Sequence, residues 1–256
     1  MKRMKPVSTV SAKKYRLMNA VVKSAWARDG QEIKNRYTTM ASSASGAIGQ
    51  IVFDNPDVFT NQRVFVNQIP VGSGSSQRIG RLVKLRSFQF RYAVAAPVNG
   101  QGGSIRMVIV FDKRPERTQS LTWADCFTGT GGSNVSYGAL NALYRETNDG
   151  RFEYLYDKTV TVEGSRVSNP LNGNFVSDAI TNTRNVATGM EMIDLSASKF
   201  YTQYSSTGTN GFETDVEYGA LHFIYWSEIT AENGVSLGAQ APRMNCWSEL
   251  RWVEEK

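Results

Sequence analysis

The chain has 256 residues, of which 41% are hydrophobic and 20% charged, so it is long enough for one large or two small folded domains and is not a mostly disordered chain. Two cysteines and a single histidine exclude a disulfide framework and any zinc site built on several histidines. The formal net charge is +6, and no run of 18 apolar residues is present, so we expect no membrane insertion.

Positive charge is concentrated at the N-terminus. Residues 1–36 hold ten Lys and Arg and two acids, a charge of +8, whereas the other 220 residues carry −2. We therefore divide the chain into a basic N-terminal arm, residues 1–32, and one body domain, residues 33–256. A separable cationic segment of this kind is typical of a protein that binds a polyanion.

Within this arm, residues 13–28 have an apolar stripe at helical spacing, made by Tyr15, Met18, Val22 and Trp26. Because a short isolated helix is marginal in water, we expect disorder up to about residue 12 and then a helix that depends on its partner. Tyr15 and Trp26 are suited to stacking on unpaired bases. A membrane-surface helix and a disordered solubilising tail are the alternatives. The candidate nucleic-acid-binding residues are Lys2, Arg3, Lys5, Lys13, Lys14, Tyr15, Arg16, Lys23, Trp26, Arg28, Lys34 and Arg36.

A second group of cations lies between residues 58 and 111, where no acid occurs. Its seven members are Arg63, Arg78, Arg81, Lys84, Arg86, Arg91 and Arg106. Either several of them share a face and extend the cationic surface, or they are ordinary strand and loop charges matched by acids elsewhere in the fold. The sequence favours neither interpretation.

The body is predicted to be all-β. Short runs rich in β-branched and aromatic residues predict strands over residues 82–95, 105–111, 152–162, 190–204, 218–229 and 244–253. The apolar parity of the first run switches between Leu85 and Phe88, which indicates a bulge there. Turn dipeptides separate many of the runs: Asn99-Gly100, Asp149-Gly150, Asn172-Gly173, Asn210-Gly211 and Asn233-Gly234. This pattern predicts a two-sheet antiparallel sandwich or jelly roll.

Two kinds of connection interrupt the strands. Thr122, with Asp125 three residues later, predicts the cap of one short helical turn over residues 122–127. The segments 128–136 and 169–185 are too long for plain hairpins, so we expect them to be loops with a role in surface contacts.

The sequence offers little support for catalysis. It contains no phosphate-binding G-x-x-x-x-G-K-[ST] loop, and its one G-x-S-x-G match, residues 234–238 (GVSLG), is followed by a predicted strand and not by the helix that a nucleophile elbow requires. His222 stands between Leu221 and Phe223, so we expect a satisfied histidine in or beside the core. Cys126 and Cys246 have aromatic neighbours and are expected to pack. No catalytic residue, metal site or cofactor is predicted, and the chain is not expected to be an enzyme.

Four segments carry a resemblance to a known family. They follow the basic arm in the order 77–87 (QRIGRLVKLRS), 105–115 (IRMVIVFDKRP), 123–127 (WADCF) and 151–158 (RFEYLYDK). The chain resembles, over residues 33–253, the capsid proteins of small circular Rep-encoding single-stranded DNA viruses, the geminivirus-like and related groups. It departs from them in its arm, which is less arginine-rich than many in that family.

The resemblance implies a single eight-stranded jelly roll whose copies, 60 in the smallest shell, assemble into an icosahedral virion around circular single-stranded DNA. Sixty copies of residues 1–36 would bring a charge of +480 to the packaged phosphates, whose neutralisation is independent of base sequence. The family also implies a stage in the host nucleus, with import factors as partners of Lys13, Lys14 and Arg16. The alternatives are a lectin-like jelly-roll binding module with a basic tail, and the capsid protein of an RNA virus or satellite.

Overall fold

The computed structural model describes residues 32–41, 50–52, 60–96, 103–116, 119–128, 140, 142–145, 150–163, 166–168, 175–177, 186–228 and 242–254. The strands in these ranges are β1 (Lys34–Ala41), β2 (Gln50–Val52), β3 (Thr60–Phe65), β4 (Leu82–Ala95), β5 (Gly103–Asp112), β6 (Phe127–Thr128), β7 (Leu143–Tyr144), β8 (Phe152–Val162), β9 (Arg166–Ser168), β10 (Phe175–Ser177), β11 (Val186–Asp194), β12 (Tyr201–Tyr204), β13 (Val216–Tyr218), β14 (Ala220–Glu228) and β15 (Arg243–Glu254). The helical elements are α1 (Trp123–Cys126) and a 3-10 turn, Glu213–Asp215.

Two antiparallel sheets contain the long strands. The first has the order β1-β15-β4-β12-β13, with β11 also paired to β4, and the second has the order β2-β3-β14-β5-β8. Eight of these strands pair from the two ends of the chain inward: β1 with β15, β3 with β14, β4 with β11, and β5 with β8. This nested pairing, split between two packed sheets, is the jelly-roll topology. The predicted eight-stranded jelly-roll sandwich is therefore confirmed.

The predicted bulge lies in β4. Opposite β15, Arg251 pairs with Ser87 but Trp252 pairs with Leu85, so Arg86 is the extra residue. The bulge lets Leu85 and Phe88 both face the core although they are three residues apart. The predicted strands 82–95 and 152–162 have the same bounds in the structure.

Other local predictions need correction. The predicted strand 190–204 is two strands, because β11 ends at Asp194 and β12 begins at Tyr201. The predicted loop 169–185 contains β10, which pairs with β9. Part of the other predicted loop, residues 129–136, lies outside the described residues. The predicted turn at Thr122 is confirmed, since its backbone N–H donates to Asp125 Oδ2 at 2.7 Å.

The main core lies between the sheets and is rich in aromatic rings. Phe90 of β4 lies 5.1 Å from Phe223 of β14 and 5.4 Å from Tyr156 of β8, measured between ring centroids. Trp252 and Cys246 of β15 are fully buried in the same cluster. Burial of each large apolar side chain stabilises the folded state by roughly 1.5–3 kcal/mol. This gain determines which face of each strand is turned to the core.

A second apolar cluster covers the other side of the second sheet. Trp226 of β14 meets Trp123 of α1 edge-on at 4.7 Å and Phe127 at 5.2 Å. Cys126 is buried here, so packing is confirmed for both free cysteines. Because β5 is covered on both faces, its sequence is almost continuously apolar. The first sheet has no such cover over its central strands in the described part of the chain, where Tyr37 and Trp247 are exposed.

A division of the chain falls between Ile33 and Lys34, so the described residues belong almost wholly to the unit Lys34–Lys256. No helix among the described residues is long and apolar enough to cross a membrane. The assignment of residues 1–32 as a separate arm stays a prediction.

Candidate nucleic-acid interface

Ten of the twelve predicted nucleic-acid-binding residues, from Lys2 to Arg28, lie outside the described residues, as does the predicted helix 13–28. The other two are in β1. Lys34 is 5% exposed, and its Nζ lies 2.7 Å from Glu254 Oε1. Arg36 is half-buried and donates to the backbone carbonyl of Gln68, and burial lowers the pKa of its guanidinium. Both side chains thus have structural partners within the body, and their role in nucleic-acid binding stays a prediction.

Four of the seven cations between residues 58 and 111 are also bound inside the fold. Their partners are Glu213 for Arg63 at 2.6 Å, Glu217 for Arg81 at 3.1 Å, Asp157 for Arg106 at 2.5 Å, and the carbonyl oxygens of Ile69 and Gly80 for Arg78 at 3.1 and 2.8 Å. For Arg63, Arg81 and Arg106 the interpretation as charges matched by acids is correct, whereas Arg78 is bound by carbonyl oxygens.

The remaining three cations lie together on the outside of the first sheet. In β4, Lys84, Arg86 and Arg91 alternate with buried residues, so they are on the side turned away from the core, which we call the open face. Arg243 and Arg251 of β15 lie on the same side. The carboxylates on the described part of this face are Glu249, Asp194 and Glu217, and Glu217 is paired with Arg81. Apart from that pair, five cations against two carboxylates give the described positions a net charge of +3.

An exposed aromatic pair stands among these charges. Trp247 of β15 is 56% exposed and Tyr37 of β1 is 71% exposed. Trp247 is directly opposite Arg91 in the register of β15 and β4. This face has a cleft of about 190 Å³. The cleft is lined by Tyr37, Gln89, Phe90, Arg91, Trp247, Ser248 and Glu249. We call Trp247, Tyr37 and Arg91 the stacking patch.

The carboxylate beside the stacking patch is neutralised by its own strand. Arg251 donates to both oxygens of Glu249, through Nε at 2.9 Å and through a terminal nitrogen at 2.8 Å. Burial alone would raise the pKa of Glu249, but the hydrogen bonds and charge of Arg251 outweigh it, and the pKa is lowered. Glu249 is therefore ionised and paired at neutral pH. Among the described residues Arg91 has no carboxylate partner, and its Nε contacts the sulfur of Met190 at 2.9 Å.

Sequence reasoning missed the stacking patch, although one signal was present. From Arg243 to Trp252 the buried positions of β15 alternate and are Met244, Cys246, Ser248, Leu250 and Trp252; Val253, at the end of the strand, is buried as well. Trp247 falls on the opposite parity, where an alternating strand places polar side chains. A tryptophan out of phase with its own strand is the feature that identifies the open face as a candidate interface.

The buried polar cluster on the second sheet offers no accessible acid or base. His222 is fully buried, with Nδ1 3.3 Å from a terminal nitrogen of Arg63 and Nε2 3.9 Å from Glu213. Burial and then the charge of Arg63 hold the pKa of His222 well below its usual value. Its predicted place in the core is confirmed, but its predicted satisfaction is only partial, because Nε2 has no hydrogen-bond partner in the described part of the chain. The described ranges contain no group of three or more metal-ligating side chains.

Comparisons with known proteins find no matching family model and no matching curated protein. Among solved structures, the chain is similar to one from the native virion of Kashmir bee virus at acidic pH, with 11% identity and a TM-score of 0.35 over 99% of this chain and 80% of that one. It is also similar to a parvovirus (densovirus) from Galleria mellonella, with 9% identity and a TM-score of 0.24 over 87% and 85% of the two chains. A third similar structure is VP1 of Trichodysplasia spinulosa-associated polyomavirus, with 8% identity and a TM-score of 0.23 over 86% and 94%.

All three similar structures come from viruses. Identities and TM-scores this low carry no argument about the function of this chain. The assignment of the jelly roll rests on the nested strand pairing and on the two-sheet order described above.

Proposed function

We propose that this chain is a structural capsid subunit that assembles with its own copies, 60 in the smallest icosahedral shell, around single-stranded circular DNA. The observation that carries the proposal is the union of two features in one chain: a jelly-roll body and a cationic N-terminal segment that precedes its first strand. The resemblance of residues 33–253 to capsid proteins of Rep-encoding viruses supports DNA as the cargo.

The charge distribution supports separate roles for the N-terminal segment, which binds nucleic acid, and the body, which assembles. Because Lys34 and Arg36 belong to β1, the segment before the body is residues 1–33, which hold eight cations and two acids, a charge of +6. Residues 34–256 hold 21 cations and 21 acids and are neutral overall. A neutral body packs against its copies without net repulsion, whereas the cationic segment neutralises phosphates whatever their base sequence. The proposed location is the virion, with a nuclear stage during assembly.

Electron microscopy of the purified full chain, combined with its ratio of absorbance at 260 and 280 nm, tests this proposal. We expect closed particles that contain nuclease-protected nucleic acid. Deletion of residues 1–28 should leave the body folded and remove the nucleic acid. A chain that stays monomeric at all concentrations, or a deletion variant with undiminished nucleic-acid content, contradicts the proposal.

The same preparation distinguishes the alternatives. Protected nucleic acid that resists RNase after extraction and is degraded by DNase supports a DNA capsid, and the reverse result supports an RNA capsid. A lectin-like module predicts instead a small oligomer whose melting temperature rises with an added sugar.

A further inference from the structure

We infer that the open face of the first sheet is a second binding site for single-stranded polynucleotide, in which an unpaired base stacks on Trp247 and Arg91 contacts an adjoining phosphate. This inference rests on the proposed function and extends it, since it places part of the binding on the folded body. The sequence analysis includes Arg91 in the alternative of a shared cationic face, but it does not include Trp247 or Tyr37 among the binding residues.

The geometry of the sheet places an aromatic ring between cations. Trp247 has Thr39 as its neighbour on β1 and Arg91 as its neighbour on β4, and adjacent strands are about 4.8 Å apart. Arg243 lies four residues from Trp247 along the same face of β15, a distance of about 14 Å in an extended strand. Tyr37 is on the neighbouring strand, opposite Glu249. A chain of alternating bases and phosphates laid across this face meets a ring and a guanidinium in succession.

Charge and polarity select a polynucleotide as the occupant. The open face carries +3, and Glu249 is already paired with Arg251, so a polyanion meets no free carboxylate beside the stacking patch. A second copy of the same face would bring Arg91 and Arg243 against like charges, which disfavours a symmetric contact. The neighbours of Trp247 on this face are polar, whereas the centre of a protein interface is depleted of charge. Stacking accepts any base, as sequence-independent packaging requires.

Binding of two labelled oligonucleotides to the full chain tests the stacking step. One is a 12-nucleotide oligo-dT, and the other is an abasic oligonucleotide with the same number of phosphates. Because one stacked base is worth roughly 1–3 kcal/mol, we expect Trp247→Ala to weaken oligo-dT binding by about 5- to 150-fold and to leave abasic binding unchanged. Arg91→Gln should weaken both, because it removes a phosphate contact.

Leu143→Ala is the matched control, since Leu143 is 73% exposed and lies in β7, outside the first sheet. It should leave both affinities unchanged, and the melting temperature of each variant should match that of the parent. As a readout that needs no variant, photocrosslinking of 5-iododeoxyuridine oligonucleotides should modify Trp247 or Tyr37.

The outcomes separate this inference from the proposed function. Equal oligo-dT binding by the parent and by Trp247→Ala, or crosslinks confined to residues 1–33, would overturn the inference and leave the proposed function standing. Equal losses of oligo-dT and abasic binding in Trp247→Ala would overturn stacking. A parent chain that binds neither oligonucleotide at low ionic strength would overturn both.

Discussion

His222 is the one histidine of the chain, and it is enclosed on the side of the second sheet that α1 covers. It faces Arg63 of β3 at 3.3 Å and Glu213 of the 3-10 turn at 3.9 Å. Glu213 by itself would favour protonation of the ring, but its carboxylate is bound by Arg63 at 2.6 Å. Burial and the Arg63 charge therefore prevail, and the neutral form of His222 is the one compatible with the fold.

This burial predicts a pH dependence of stability with a definite sign. The folded pKa of His222 is lowered, so below about pH 6.5 the unfolded chain binds a proton that the folded chain does not. The contribution is complete above about pH 6.5 and declines as the pH falls, by up to about 1.4 kcal/mol per pH unit. Urea unfolding from pH 7.5 to 5.5 should show this slope in the parent and a flatter one in His222→Gln. Since no other histidine titrates in this window, equal slopes in the two proteins would contradict the assignment.

For single residues, the sequence predicts which side of its strand a side chain occupies more readily than which side chains it contacts. The apolar neighbours of His222 indicate its burial, because they belong to the same strand. Its contacts with Arg63 and Glu213 join positions 159 and 9 residues away along the chain, which no local pattern specifies. The parity of Trp247 is a local signal, but the cation directly opposite it, Arg91, belongs to another strand, β4.

At the scale of elements, Gly219 forms the corner where the chain leaves β13 of the first sheet and enters β14 of the second. Its φ is +77°, and a Cβ built there would lie 1.9 Å from the carbonyl oxygen of Tyr201. Its own carbonyl accepts hydrogen bonds from Asn67 Nδ2 and Thr202 Oγ1, both at 2.8 Å. The corner therefore requires glycine for its backbone conformation and for the close approach of a second strand.

Gly219→Ala should lower the free energy of unfolding by about 2–4 kcal/mol, which combines a positive-φ penalty of about 1 kcal/mol with the steric overlap. Gly150→Ala is the matched control, because Gly150 has a φ of +70° and no atom within 4 Å of its Cβ position. It should cost only the backbone penalty, about 1 kcal/mol. Chemical denaturation measures both values, and equal losses would show that the overlap at Tyr201 relaxes at no cost.

The glycines with positive φ also show which turns can be predicted from the sequence. Gly150 follows Asp149 and Gly211 follows Asn210, and both have the positive φ that these dipeptides predict. Gly219 follows Tyr218 between two apolar strands, so nothing nearby in the sequence marks it as a corner. The bulge at Arg86 was predictable because the parity of one strand changes within three residues, whereas the break between β11 and β12 leaves no such mark.

For the whole molecule, the class of fold was predictable from the sequence, but the order and pairing of the strands were not. Strand lengths and turn spacing predict a sandwich. The pairing of β1 with β15, however, joins Lys34 to Trp252, and its register depends on burial across the complete sheet. The pattern left a plain sandwich and a jelly roll as alternatives, and the resemblance favoured the jelly roll, because topology is a property of the whole chain. The list of binding residues grouped Lys34 and Arg36 with the basic segment on charge alone, although the predicted boundary after residue 32 and β1 both place them in the body.

That boundary leads to a prediction about the salt dependence of binding. If the eight cations of residues 1–33 all contact phosphates of a single strand, log Kobs should fall with log [salt] by about 5–6 units more in the parent than in a chain with these eight changed to Gln. Fluorescence anisotropy of labelled oligo-dT at 50–400 mM salt measures the slope. Lys199→Gln is the control, because Lys199 is 55% exposed and its Nζ is paired with Glu153 in the body, so its slope should match that of the parent. Since residues 34–256 are neutral overall, assembly of the body should depend weakly on salt. Parallel slopes for the parent and the eightfold variant would place the phosphate contacts on the body instead.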